Sequence, residues 1–282
     1  MNSPAEVAKN YISIGKAKTT NSIGKLLILG ILAGAFIAFA GVGATTAAVS
    51  IEKASVAKFV GACVFPAGLA MVLIAGSELF TGNCLIIIPV LDGEVTVGAM
   101  LRNWVIVYIG NLIGGMLIAF LATYSNTFAL FGNGLAVSAT STAVAKVSMT
   151  FGSAFLKGVL CNILVCIAVW MAFAAKDVTG KIIGLFFPIM LFVLCGYEHS
   201  VADMYYVPAG LFAKMKFADA VADVSNLNNL NWGTFFIKNL IPVTLGNIVG
   251  GAFLVGLPYW AVYLRKSKTQ KETEKTVNLS GK

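Results

Sequence analysis

Ser77-Glu78-Leu79-Phe80-Thr81-Gly82-Asn83 interrupts an otherwise apolar, membrane-length stretch over residues 59–90. A second stretch, over residues 182–212, is interrupted in the same way by Gly196-Tyr197-Glu198-His199-Ser200-Val201-Ala202-Asp203. Opened backbone and ionisable side chains at bilayer depth stay unsatisfied unless protein buries them or a watered cavity adjoins them. Paired broken segments in corresponding halves of a chain point to a solute path. The two breaks therefore imply a protein that moves a small solute across a membrane.

Composition agrees with that reading. Of 282 residues, 58% are hydrophobic and only 11% charged, far too apolar for an ordinary soluble domain. A hydrocarbon core about 30 Å thick asks for helices of about 20 residues. Six such spans are present, over residues 26–50, 59–90, 104–124, 151–175, 182–212 and 235–264. The fold class is an all-α membrane protein with two broken helices. The five cysteines, Cys63, Cys84, Cys161, Cys166 and Cys195, lie within the spans and form no CxxC pair. They read as small packing residues, and neither a disulfide framework, a metal site nor a cofactor is expected.

The first 25 residues are polar and lack the apolar core of a signal peptide. Ser3-Pro4-Ala5-Glu6 reads as a capping box with proline at the first helical position. Val7, Tyr11 and Ile14 then share one face, so residues 1–25 hold a short amphipathic helix. An interfacial anchor and a gate over the solute path both fit it.

Charge sets the orientation. Six spans put both termini on one side of the membrane. That side holds thirteen of the twenty basic residues: Lys9, Lys16, Lys18, Lys25, Arg102, Lys176, Lys181, and the tail cluster Arg265, Lys266, Lys268, Lys271, Lys275 and Lys282. By the positive-inside rule both tails, including the basic segment 265–282, are cytoplasmic. The net charge of +8 then reflects topology, and no nucleic-acid partner is needed to explain it.

An internal repeat strengthens the transport reading. Residues 103–115 and 239–251 both read N-x6-G-N-x-x-G-G, 136 residues apart. Three spans per half make the second half enter from the opposite side, an inverted three-plus-three arrangement. The glycines suit close helix packing, and Asn111 and Asn247 can hydrogen-bond across helices.

These residues resemble the formate–nitrite transporter family of pentameric anion channels. The match runs from the first span to Tyr263-Leu264-Arg265. Its most specific parts are Glu78 to Asn83, Asn162 to Met171, Gly196 to Met204, and Asn239 to Gly251. The resemblance implies an aquaporin-like protomer with its own pore, five of which form a homopentamer among the lipids of the plasma (inner) membrane. The channel domain covers residues 26–264, with half-repeats over about 26–124 and 151–264.

His199 is the only histidine. An ionisable group at bilayer depth is costly and marks function, and imidazole titrates near neutral pH, so a pore-facing role is expected. Thr81 resembles the family threonine that faces this histidine; capping of the following half-helix fits it equally. Asn162 and Asn247 resemble the family's pore-side asparagines. Glu198, a carboxylate that would repel an anion, is expected to pair with backbone donors beside His199. By resemblance, Leu69, Leu79 and Phe80 form the cytoplasmic constriction, and Phe65, Val165 and Phe192 the outer one. Lys146 and Lys157, at the start of the fourth span, draw anions into an outer vestibule or snorkel to the interface.

A carboxylic acid with a pKa near 4 is neutral in only about one molecule in a thousand at pH 7. A proton supplied locally would remove most of that penalty. The sequence-level mechanism is that lysines gather the anion, His199 with Thr81 polarises or protonates it, and the weak acid passes the apolar rings. The partners are then a small anion and protons. Formate ranks first, with nitrite and hydrosulfide as alternatives; Thr81-Gly82-Asn83 departs from the Thr-Ser-Thr of typical formate channels. A membrane enzyme would need a nucleophile–base pair or metal cluster that one histidine cannot supply. A water or polyol channel would carry paired Asn-Pro-Ala motifs, which the sequence lacks.

Overall fold

The computed structural model describes residues 1–265; the rest of the basic tail lies outside the described residues. Helix α1 (Pro4–Thr20) opens with the expected capping box, Ser3 and Glu6 exchanging side-chain and backbone bonds. Then follow α2 (Ile23–Ala48), α3 (Ala54–Gly76), α4 (Phe80–Leu91) and α5 (Val97–Tyr124). After these come α6 (Leu130–Val147), α7 (Phe151–Ala174), α8 (Val178–Leu194) and α9 (Ser200–Lys216). The last is α10 (Trp232–Tyr263). Ser22, Thr96, Thr150 and Asp177 cap the helices they precede, each accepting a backbone N–H in the first turn. The breaks divide two spans into half-helices, α3 with α4 and α8 with α9.

The two breaks are built alike. Gly76 and Gly196 end the first half-helices in the left-handed region, at φ of 83° and 68°. A side chain there would cost about 1–2 kcal/mol of backbone strain. The next residues, Ser77 and Tyr197, donate back to Val72 O and Phe192 O at 2.9 and 3.0 Å. Asparagines from the repeat then close the opened backbone. Asn111 Oδ1 accepts Phe80 N–H at 2.9 Å, while its Nδ2 donates to Gly30 O and Glu78 O at 2.8 and 2.9 Å. Asn247 Oδ1 accepts Ser200 N–H at 2.9 Å, and its Nδ2 donates to Gly158 O and Glu198 O at 2.8 and 3.0 Å. Each asparagine therefore satisfies two backbone groups that a broken helix strands and ties the break to a neighbouring helix through a third, Gly30 O of α2 or Gly158 O of α7. Tyr108 and Thr244, 136 residues apart, meet across the two halves at 2.7 Å.

The repeat glycines are packing residues. Gly34 and Gly114 lie against the backbone of Asn111 and Ile31, and Gly246 and Gly250 against that of Phe155 and Val159, with no room for a Cβ. These contacts lock α2 to α5 and α7 to α10. The outward surface is apolar, with Leu32, Phe39, Ile109, Phe187, Leu245 and Phe253 exposed, as lipid or a neighbouring protomer requires.

Two expectations change. Residues between the third and fourth spans, read as a connection, form α6, which packs on α9 through Leu135, Ala136, Ala139, Ala143 and Val147. It adds no crossing, because Gly134 near its start adjoins Val49 at the end of α2, and its end leads within a few residues into α7. Cys195 is exposed and so is no packing residue, whereas Cys84, Cys161 and Cys166 are buried.

Candidate transport site

His199 caps α9 with its ring: Nδ1 accepts Ala202 N–H at 3.1 Å. Its other nitrogen, Nε2, lies 2.8 Å from Thr81 Oγ1 on α4. Because the backbone N–H can only donate, neutral His199 carries its proton on Nε2 and donates to the threonine oxygen. The Thr81 hydroxyl proton is then free for another acceptor. Both groups are buried, His199 to 3% exposure and Thr81 to 0%. Thr81 does not cap α4, whose first turn receives no side-chain cap.

A cavity of about 450 Å³ reaches this pair from the face opposite α1, ending on His199, Phe65 and Phe192. The two phenylalanine rings stand edge to face at 5.8 Å, and Phe192 lies 5.8 Å from the imidazole. On the α1 face a small cavity of about 20 Å³ is lined by Leu69, Leu79, Tyr11 and Lys18. Apolar residues thus flank a polar centre from both sides. Val165 is buried in the core on α7. Phe80, expected in the constriction with Leu69 and Leu79, instead packs edge-on to Tyr108 and Trp104 at 4.9 and 6.0 Å. It lines an apolar groove between α5 and α10.

Each break carries a buried ion pair. On the α1 face Lys18 Nζ lies 2.9 Å from Glu78 Oε2, which also accepts from Asn83 Nδ2 at 2.7 Å. Asn83 donates to Asn103 Oδ1 at 2.9 Å. On the far face Lys146 Nζ lies 2.7 Å from Glu198 Oε2 and 2.7 Å from Asp203 Oδ1. Asn239 Nδ2 donates to Asp203 Oδ2 at 3.2 Å. The clusters occupy corresponding positions of the two halves, with Asp203 where the α1 face has Asn83, and sit at opposite ends of the bundle, in keeping with inverted repeats.

Several expected roles change with these contacts. Asn247 spends its amide on backbone, and Asn162 donates to Thr81 O and Asn247 O at 3.2 and 2.6 Å, so both hold the scaffold. Glu198 pairs with Lys146, not with backbone donors, although its own N–H bonds Lys157 O at 3.3 Å. Lys146 sits at the end of α6 with its charge shared by two carboxyls. The lysine lining the far cavity without an ion pair among the described residues is Lys58. Lys157 lies outside that lining. Lys58 and Lys18 were given no role at the site from the sequence, and Glu78 and Asp203 were read only as polar members of the two breaks; their place inside those breaks was the available signal.

Helix α1 docks on the bundle. Tyr11 Oη donates to Gly82 O at 3.3 Å and its ring meets Phe173 at 5.8 Å, while Asn103 Nδ2 holds Lys18 O at 3.1 Å. An anchor lying in the headgroups would not bury Val7, Ala8 and Tyr11 in protein.

Half-helices that meet at a buried polar pair, within an apolar bundle, define a multi-pass membrane channel or transporter and not an enzyme. The chain belongs to the formate/nitrite transporter family, whose model matches residues 5–261. It is 41% identical to a "Probable formate transporter" of Methanothermobacter thermautotrophicus, over 94% of this chain and 98% of that one. It is 37% identical to the "Formate channel FocA" of Escherichia coli (strain K12), over 94% and 95%. A solved "Pentameric formate channel with formate bound" superposes with a TM-score of 0.78 at 37% identity, covering 86% of this chain and 98% of that one.

Proposed function

We propose that this chain is a channel for small monovalent anions of weak acids, formate first, whose passage is assisted by a proton at Thr81 and His199. The observation that carries the reading is that pair, buried where both second half-helices start and flanked by apolar residues on each side. Stripping water from an anion costs several kcal/mol even after relaxation; the neutral acid loses far less. Lys58 gathers the anion in the far cavity. The free Thr81 hydroxyl meets it at the centre, backed by the Nε2–H of His199. A second ring proton enters at Nδ1, at the expense of the bond to Ala202, and gives the pair a proton to pass on. Similarity to a pentameric formate channel supports a homopentamer with one pore per protomer. The positive-inside rule supports placing the α1 face and both termini in the cytoplasm, in the plasma (inner) membrane.

A flux panel in proteoliposomes tests the reading, with formate, nitrite, hydrosulfide, acetate and chloride at two pH values. Formate is expected to lead, and the weak-acid fluxes to rise as pH falls. Chloride exceeding every weak acid at both pH values would overturn the proton-assisted path. Nitrite or hydrosulfide exceeding formate would overturn the substrate ranking alone.

A further inference from the structure

The two ion-pair clusters match except at one position. Where the α1-face cluster has the amide Asn83, the far cluster has the carboxylic acid Asp203. The α1-face cluster balances: one lysine, one carboxylate, and amides whose donors reach Glu78 and Asn103. The far cluster has one lysine and two carboxyls. Asp203 is fully buried and Glu198 nearly so, at 0% and 6% exposure, and an unpaired charge at such a site is expensive.

The polar contacts show the same shortfall. Asp203 Oδ1 is within 2.7 Å of Lys146 Nζ yet outside hydrogen-bond geometry, and Asn239 Oδ1 has no donor. In the matching half, Asn103 Oδ1 accepts a hydrogen bond from Asn83 Nδ2. A cluster with two carboxyls and too few donors lacks one hydrogen. The Glu198 and Asp203 carboxyls both lie 2.7 Å from the one Lys146 ammonium, so two carboxyls crowd a single positive charge.

We propose that Glu198 and Asp203 hold one exchangeable proton between them, forming a proton-loading station at the far mouth of the path that the α1 face lacks. Both residues line the 450 Å³ cavity with His199, so the station opens to the solution on that side. With the proton the cluster is neutral. Without it the cluster carries one negative charge beside the entry route and repels an incoming anion. Anion entry from the far face is therefore gated by far-side pH, independently of protonation of the substrate itself.

The other groups around the pair do not supply the missing charge. Lys146 from α6 is already shared, and it lies 5.3 Å over the Tyr206 ring. Lys58 from α3 faces the same cavity and makes no ion pair with either carboxyl among the described residues. His199 is committed through both nitrogens. Lys157 of α7, whose backbone O accepts the Glu198 N–H, lies outside the cavity lining and makes no ion pair with either carboxyl among the described residues; Tyr108 of α5 and Cys161 of α7 are neutral when protonated.

Infrared difference spectroscopy on the purified channel in lipid tests the proton directly. Exposed carboxyls are ionised at pH 7, so a carbonyl stretch of a protonated, deuterium-exchangeable carboxyl at that pH reports a buried one. It is expected in the wild type and lost in both D203N and E198Q, each checked for intact assembly by size exclusion. Its absence from the wild type, or its survival in both variants, overturns the proposal. Uptake then tests the role, which rests on the proton-assisted reading above: D203N should flatten the far-side pH dependence of anion entry by about ten-fold relative to wild type. An unchanged pH profile in D203N refutes that role. If no anion passes at any pH the proposed substrate class fails, while the infrared band still decides whether the proton is there.

Discussion

Replacing Thr81 with valine removes one hydroxyl at near-constant volume, and the structure says what that hydroxyl does. The backbone at this position is held separately, because Thr81 O accepts from Asn162 Nδ2 at 3.2 Å and from Cys166 Sγ at 3.5 Å. The half-helix should therefore stay in place. Two losses follow. The Nε2–H of His199, now 2.8 Å from a hydroxyl oxygen, is left buried without an acceptor, a cost of about 1–3 kcal/mol in stability. The donor that meets the anion also disappears. A hydrogen bond to a charged group contributes about 1.5–3 kcal/mol, and if it acts mainly at the top of the barrier the flux falls roughly 10- to 150-fold. T81S restores the hydroxyl and should return the flux to within a few-fold of wild type. Stopped-flow formate uptake into proteoliposomes, normalised to reconstituted protein, measures all three. T81V and T81S fluxes that agree within a factor of two, in equally folded samples, would refute the assignment of Thr81 as the donor.

Two further outcomes are expected. Asn247→Ala strands Glu198 O and Ser200 N–H and cuts the tie to Gly158 O of α7; at about 1–3 kcal/mol for each stranded group the loss reaches a large share of a stability of about 5–15 kcal/mol. Asn111→Ala should act alike, and an unchanged thermal unfolding midpoint in detergent for either variant would contradict the stitching role. At the amino terminus, the Ser3 backbone N–H and hydroxyl hold the Glu6 carboxyl below its usual range. A carboxyl with a lowered folded-state value stabilises above its unfolded value and loses that contribution as pH falls through the folded one. Hydrogen-exchange protection at the start of α1, taken relative to the intrinsic rate at each pH, should thus fall in acid for the wild type and lose this dependence in E6Q.

Much of the fold was legible because a bilayer imposes coarse rules. Length and hydropathy mark spans, and polar residues inside them are too costly to be accidental. The breaks at Glu78 and Glu198, the repeated asparagines and the lone histidine all carried that signal, and so did the capping box of α1. Helix α6 was missed although Leu135, Ala139, Ala143 and Val147 recur at helical spacing, because it returns to the side where it began and adds nothing to a span count. What the sequence could not assign was the direction of side chains. An asparagine in a span can face solute or stitch backbone, and only the positions of Gly158 O, Glu198 O and Ser200 N decide for Asn247. Phe80 and Leu79 are neighbours in sequence, yet one packs on α5 and the other lines the small cavity on the α1 face. Lys146 sits over fifty positions before Glu198 and Asp203, and the packing of α6 on α9 makes them one cluster. Residue type and periodicity follow from local chemistry and the solvent; which polar groups share a proton or a charge depends on distances of a few ångströms that only the folded chain sets.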